Sequence, residues 1–412
     1  MMAPRDKARV LVLHPHLPYP PSQGADIRNY RLLKWLSDRF EVDLVAFSDE
    51  PVAPDSPLPG MVGKLMVRPF PKRSLARRAL STFFSSRPDM ALRLFDRGML
   101  EEIASTVRSS DYAAIHIEGI EMAPYGFAAA EMLERRGSRT KIVFDDHNAE
   151  YMLQRSAFLT DVRNPLRFPG AVYSFLQWRK LARYERSICS KAWKVIGVSR
   201  KDAEAIESLV PGLSVIVIPN GVDVPYYRDY PAVEDTAEPT LVFTGKMDYR
   251  PNVDAMLWFV SEIWPSVKRR RPDVKLVVVG QKPHPKLRGL GKMPGVSLTG
   301  FVPDVRPFMA SASVFVVPLR MGSGTRLKVL QAMAMGKTIV STSVGAEGLG
   351  VENGRELLLA DSPEDFADAV VALLDDEALR RRLGAAAMEF VSERFDWSVI
   401  VPKMAEVYGE VS

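Results

Sequence analysis

Pro318-Leu319-Arg320-Met321-Gly322-Ser323-Gly324-Thr325-Arg326-Leu327-Lys328-Val329-Leu330-Gln331-Ala332-Met333-Ala334-Met335-Gly336-Lys337 is the stretch on which the reading of the chain turns. The apolar run from Val314 to Pro318 predicts a strand, the glycines a tight turn, and the residues that follow an amphipathic helix. Gly322 and Gly324 allow the backbone to approach a ligand closely, while the free amides at the start of a helix favour an anion such as a diphosphate. Arg326 and Lys328 add two full positive charges in the first turn of that helix. Glycines alone would be explained by a turn; with the two cations beside them, an anion site is the better reading.

The same alternation of short apolar runs with helix-length amphipathic segments extends in both directions. Upstream it gives Val10-Leu13, Val42-Phe47, Tyr112-Ile117, Lys141-Phe144, Lys194-Val198 and Ser214-Ile218. Around the quoted segment it gives Thr240-Phe243, Val274-Val279, Val296-Leu298, Val314-Pro318, Thr338-Ser341 and Glu356-Leu359. Such alternation predicts an α/β fold with parallel sheets. Asn220-Gly221-Val222-Asp223 and the acidic, proline-containing stretch from Tyr226 to Pro239 lack an apolar period and carry turn residues, and together they read as the linker. The expected division is therefore 1–225 and 226–396, with a last amphipathic segment, 397–412, packing back onto the first domain. Open α/β sheets bind ligands beyond the carboxyl ends of their strands, which places the expected substrate site in a cleft between the two domains.

A chain of 412 residues suits two domains rather than one core. Its hydrophobic fraction of 47% and charged fraction of 25% are those of a globular protein. The single cysteine, Cys189, can form no internal disulfide and reads as packing. The run Val10-Leu13 is far shorter than a signal-peptide core or a membrane span, so a cytoplasmic location is expected. The net charge of +5 is modest, and its placement says more than its size. Lys72, Arg73, Arg77 and Arg78 interleave with Leu75, Ala76, Leu80, Phe83 and Phe84, the pattern of a basic amphipathic helix able to lie on an anionic membrane surface. A surface helix packing its apolar side inward has the same pattern. No dinucleotide fingerprint, Walker loop, His-Glu-x-x-His helix, cysteine cluster or Gly-x-Ser-x-Gly elbow is present, which disfavours the corresponding enzyme classes.

The glycine turn and its cations resemble the donor-binding region of the retaining, family 4-like (group 1) glycosyltransferases of GT-B architecture. Leu17-Pro18-Tyr19-Pro20-Pro21 with Gly24-Ala25-Asp26-Ile27-Arg28, Asp146-His147-Asn148-Ala149-Glu150, Val198-Ser199 with Asp202, and Ile218 to Asp223 carry the likeness through the first half. Phe243-Thr244-Gly245-Lys246-Met247-Asp248, Val278-Val279-Gly280 and Gly300-Phe301-Val302-Pro303-Asp304 carry it through the second. The resemblance implies two Rossmann-like domains, the first for an acceptor and the second for a nucleotide-diphosphate sugar. It implies that Lys246, Arg326 and Lys328 meet the donor diphosphate, that Gly322, Ser323, Gly324 and Thr325 line it, and that Gly300, Phe301 and Val302 face the nucleobase. His147 matches a histidine near the transferred sugar, and Gly24, Asp26 and Arg28 fall in the acceptor region; His14 and His116, also at strand ends, rank lower.

Where the family usually has two glutamates eight positions apart, this chain has Ser323 and Gln331. A glutamine at 331 can still hydrogen-bond a ribose hydroxyl, without the strength of a charged acceptor. The implied chemistry is hexosyl transfer with retention, without a metal or other cofactor, the cations and the helix terminus stabilising the leaving diphosphate. A glycan or lipid-linked acceptor of envelope or exopolysaccharide assembly is expected, taken at the inner face of the plasma membrane if the basic helix docks there; no nucleic-acid partner is expected. Two other readings stay open at this point: a nucleotide-sugar epimerase on the same fold, and a glycosyltransferase-like protein that binds nucleotide sugars without turnover.

Overall fold

A computed structural model describes residues 7–21, 24–162, 168–231, 238–322, 324 and 326–411; Ser323, Thr325 and the Arg77 side chain lie outside the described residues. The chain divides into two compact units, Met1–Pro219 with Val401–Ser412, and Asn220–Ile400.

The first unit holds β1 (Arg9–Leu13), β2 (Glu41–Phe47), β3 (Lys64–Arg68), β4 (Ala114–Glu118), β5 (Lys141–Asp146), β6 (Lys194–Gly197) and β7 (Val215–Val217). They form one sheet in the order β3-β2-β1-β4-β5-β6-β7, and every pairing is parallel. Val10, Leu11, Val12 and Leu13 are all fully buried, as a strand covered by helices on both faces requires. Strand order reverses direction between β1 and β4, where Leu13 lies opposite Ile117. The edge strand β3 was not among the expected ones. Lys64 and Arg68 bracket only three apolar residues, too short a run to stand out without its neighbour.

The second unit holds β8 (Thr240–Thr244), β9 (Lys275–Val279), β10 (Val296–Leu298), β11 (Val314–Val317), β12 (Ile339–Ser341) and β13 (Leu358–Leu359). Their order is β10-β9-β8-β11-β12-β13, again all parallel, with the reversal between β8 and β11. The unit begins at Asn220, the first residue of the expected linker and ahead of the expected boundary at 226. Val222 bridges to Asp396, and a methyl on Gly221 would lie 2.9 Å from the Phe395 carbonyl and from the Trp397 ring, so the chain is already packed there. Trp397 and Ile400, placed by sequence in the returning segment, belong to this unit; the return starts at Val401. There Met404, Val407 and Tyr408 are buried in the first unit, Tyr408 against the rings of Trp35 and Phe40. Among the described residues no helix is long and apolar enough to cross a membrane.

Candidate active site

In the second unit the site grows from the carboxyl ends of β8 and β11, the point where strand order reverses. After Thr244 the chain turns at Gly245, whose φ of +157° suits glycine, and exposes Lys246. Gly280 closes this turn from the next strand: a methyl there would overlap the Gly245 carbonyl. Gly280 also bridges to Gly300, whose φ is +75°, and so brings Gly300 to the same strand ends, with Phe301 72% exposed beyond it and Val302 half-buried.

Past β11, Gly322 (φ +125°) and Gly324 (φ +78°) turn the chain into the helix Leu327–Ala334. Arg326 caps that helix and is 7% exposed; it donates to the Val344 carbonyl at 3.3 Å. A methyl on Gly322 would lie 2.9 Å from the Arg326 guanidinium, so the glycine leaves room for the cation. Lys328 donates to the Asn252 side-chain carbonyl at 2.8 Å and sits 3.9 Å from the centre of the Phe243 ring. Burial, then the neighbouring Arg326, pushes the Lys328 ammonium down to about 7. Asn252 in turn donates to the Lys246 carbonyl at 2.9 Å. One asparagine thus ties the turn that carries Lys246 to the helix that carries Arg326 and Lys328. Gln331 is half-buried and hydrogen-bonded to the Tyr227 hydroxyl.

In the first unit the polar groups lie at the carboxyl ends of β1, β4 and β5. His147, half-buried, places its Nε2 against Glu118, which ends β4 and is 1% exposed. The other Glu118 oxygen lies 3.4 Å from His116 Nε2, and His116 Nδ1 lies 2.8 Å from the Tyr408 hydroxyl. Burial raises the Glu118 carboxyl to about 8, His147 opposing, and burial lowers His116 to about 4 and His14 well below its ordinary value. Gly24 opens the helix Gly24–Arg39, with Asp26 half-buried in its first turn. Arg28 departs from its expected acceptor role. Its side chain is fully enclosed, donating to both Asp145 oxygens at 2.9 and 3.1 Å and to the Ile218 carbonyl at 2.7 Å, so it neutralises a buried carboxylate instead of meeting a ligand.

Ligating atoms of His14, His116 and Glu118, and of Glu118, Asp145 and His147, fall within 4.8 Å of one another. Asp145 is paired with Arg28, Glu118 with His147 and His116 with the Tyr408 hydroxyl, whereas His14 Nδ1 is buried without a hydrogen-bond partner. Sequence reasoning missed Glu118, Asn252 and Tyr227. Only Glu118 leaves a signal, a carboxylate closing an apolar strand directly before Gly119, whose φ is +72°.

A family model described as "Glycosyl transferases group 1" matches residues 238–376, and one described as "Glycosyltransferase Family 4" matches residues 22–225. An uncharacterized 44.6 kDa protein in the cps region of Klebsiella pneumoniae is 22% identical over 402 residues, covering 94% of this chain and 97% of that one. Phosphatidyl-myo-inositol mannosyltransferase of Mycolicibacterium smegmatis is 31% identical over 209 residues, 49% of this chain and 53% of its own, so the chain spans about half the length of that relative. Sucrose-phosphate synthase of Thermosynechococcus elongatus shares the fold at 19% identity and a TM-score of 0.69, over 98% of this chain and 99% of that one. Anabaena HepE, solved with UDP and glucose, does so at 17% identity and a TM-score of 0.63, over 98% of this chain and 100% of its own.

Proposed function

Because the chain belongs to the family 4-like, group 1 glycosyltransferases of GT-B fold, we propose that it moves a hexose from a nucleotide-diphosphate sugar to a lipid-linked or envelope glycan, with retention and without a metal. The observation that carries this reading is the clustering of Arg326, Lys328, Gly245 and Lys246 at the strand-order reversal of the second sheet. A diphosphate at this point meets three cations and the amino end of a helix. As the sugar leaves, charge grows on the phosphate oxygens, and fixed cations stabilise it there without reorganisation. Gln331 and the Gly300–Val302 turn are the proposed ribose and nucleobase contacts.

In the first unit, His147 is the proposed sugar contact, its ring held by Glu118. Gly24 and Asp26 remain the proposed acceptor residues, while Arg28, buried against Asp145, is not. HepE, a structural neighbour, is also known with UDP-glucose, which favours a nucleotide-sugar donor here, and the Mycolicibacterium relative is named phosphatidyl-myo-inositol mannosyltransferase, which favours a lipid-linked acceptor.

Thermal unfolding with a panel of nucleotide sugars tests the donor site. A donor at about a hundred times its Kd adds roughly 2.7 kcal/mol. We expect one diphosphate donor to stabilise the protein and Arg326→Ala to abolish the shift; transfer with that donor should survive a chelator. A shift without transfer to any glycan acceptor would leave a binding protein without turnover, and loss of transfer on chelation would overturn metal independence.

A further inference from the structure

Exposed apolar side chains are not spread evenly over the molecule. Most of the large ones lie on three helices of the first unit, Leu75–Phe84, Glu150–Asp161 and Phe168–Cys189, or at their ends. Phe84 is 85% exposed, Phe83 68%, Phe168 62% and Leu80 59%, with Phe175 and Leu159 near 40%. The helices are neighbours: Phe158 of the second stacks at 6.0 Å on Trp178 of the third, and Lys180 of the third donates to the Thr82 carbonyl of the first at 2.6 Å.

Polar anchoring explains why these side chains point outward. The Asp89 carboxylate, 8% exposed, takes Arg73 at 2.8 Å and Arg78 at 3.2 Å, while the Asp89 amide donates to Gln177 at 2.8 Å. The first helix is therefore held to the unit by its polar side, and its apolar side is left in water. The sequence allowed the opposite, with the apolar side packed inward; the Asp89 anchor decides between them.

The charge around this face has one sign. Lys72, Arg78, Arg87, Arg155 and Arg179 are exposed, whereas no acidic side chain among the described residues of 72–89, 150–162 and 168–189 is. Exposed apolar side chains gathered on neighbouring helices in this way mark an interaction surface. A cationic rim disfavours pairing with a second copy of itself and complements an anionic layer.

We infer that the face formed by these three helices docks on an anionic lipid bilayer, with Phe83, Phe84 and Phe168 entering the boundary between headgroups and acyl chains and the basic side chains meeting lipid phosphates. This deepens the proposed lipid-linked acceptor by naming the surface that presents it, and rests on that reading for its purpose but not for the binding itself.

Co-sedimentation of the full chain with phosphatidylcholine vesicles, with and without phosphatidylglycerol, tests it. Binding to the anionic vesicles, weakening as salt is added, is expected. Each of Lys72→Gln, Arg87→Gln and Arg155→Gln should lower the partition about fivefold, and Phe83→Ser with Phe84→Ser by more than about tenfold. Stabilisation by a nucleotide sugar, measured on the same variants, confirms that they fold and reports the donor site separately. No sedimentation of the wild-type chain with anionic vesicles at low salt overturns the inference. So does a dimer in solution that Phe83→Ser with Phe84→Ser dissociates, since a second copy would then cover the face.

Discussion

At the scale of a residue, Lys328 is the group whose chemistry the fold alters most usefully. An exposed lysine is charged at any neutral pH, but this one, half-buried beside Arg326 with its ammonium over the Phe243 ring, is pushed down to about 7. Without donor it therefore loses its charge as pH rises through 7. A diphosphate favours the charged form, so donor binding above that pH takes up a proton. The sign follows: affinity for a nucleotide sugar, whose diphosphate keeps its charge across this range, should fall as pH rises above 7, by at most about tenfold per unit. Calorimetric titrations in buffers of different ionisation enthalpy should detect that uptake, and Lys328→Met should remove both the uptake and the pH dependence. A pH-independent affinity in the wild-type chain would show that Lys328 does not meet the phosphates. Glu118 is shifted the opposite way, raised to about 8 by burial, so the carboxyl facing His147 keeps its proton more readily than an exposed one. That pairing holds the ring in place by a different means from the cations of the second unit.

At the scale of elements, the glycine turns matter because they set how closely β8, β9 and the loop after β10 approach. Gly280 is the clearest case. It has no left-handed backbone to explain it; what excludes a side chain is the Gly245 carbonyl. Gly280→Ala should force that turn apart at a cost of about 1–3 kcal/mol, moving Lys246 and weakening donor affinity roughly tenfold or more, as a titration with the preferred nucleotide sugar would measure. Unchanged affinity would place the diphosphate away from this turn. The strand pattern and the glycine turns were legible in the sequence because periodicity and glycine spacing are local. The ties between them were not. Asn252 joins nearby Lys246 to Lys328, which lies 76 residues further along the chain, and Asp89 orients a helix through Arg73 and Gln177, each in a different segment. The burial of Arg28 was equally hidden, since a guanidinium beside Gly24 and Asp26 reads as a surface group until Asp145 is brought beneath it.

At the scale of the whole chain, the last residues return to the first unit and finish its core. Tyr408 is 2% exposed and its hydroxyl meets His116 Nδ1 at 2.8 Å, directly behind the Glu118 and His147 pair. The chain's end thus completes a network whose other members were placed by β4 and β5. Tyr408→Phe keeps the ring among Trp35 and Phe40 but leaves a buried histidine nitrogen without its partner, which costs about 1–3 kcal/mol. Because the loss falls inside one unit's core, it should be local. Hydrogen exchange of the full chain should show faster opening of β1 and β4, with β8, β9 and β11 exchanging as before. Equal loss of protection in both sheets would mean that the two units unfold as one, and no loss in either would mean that His116 finds another partner once the hydroxyl is gone. The measurement therefore reads two things at once: whether the returning segment stabilises the network behind His147, and whether the division at Pro219 is a division of stability as well as of structure.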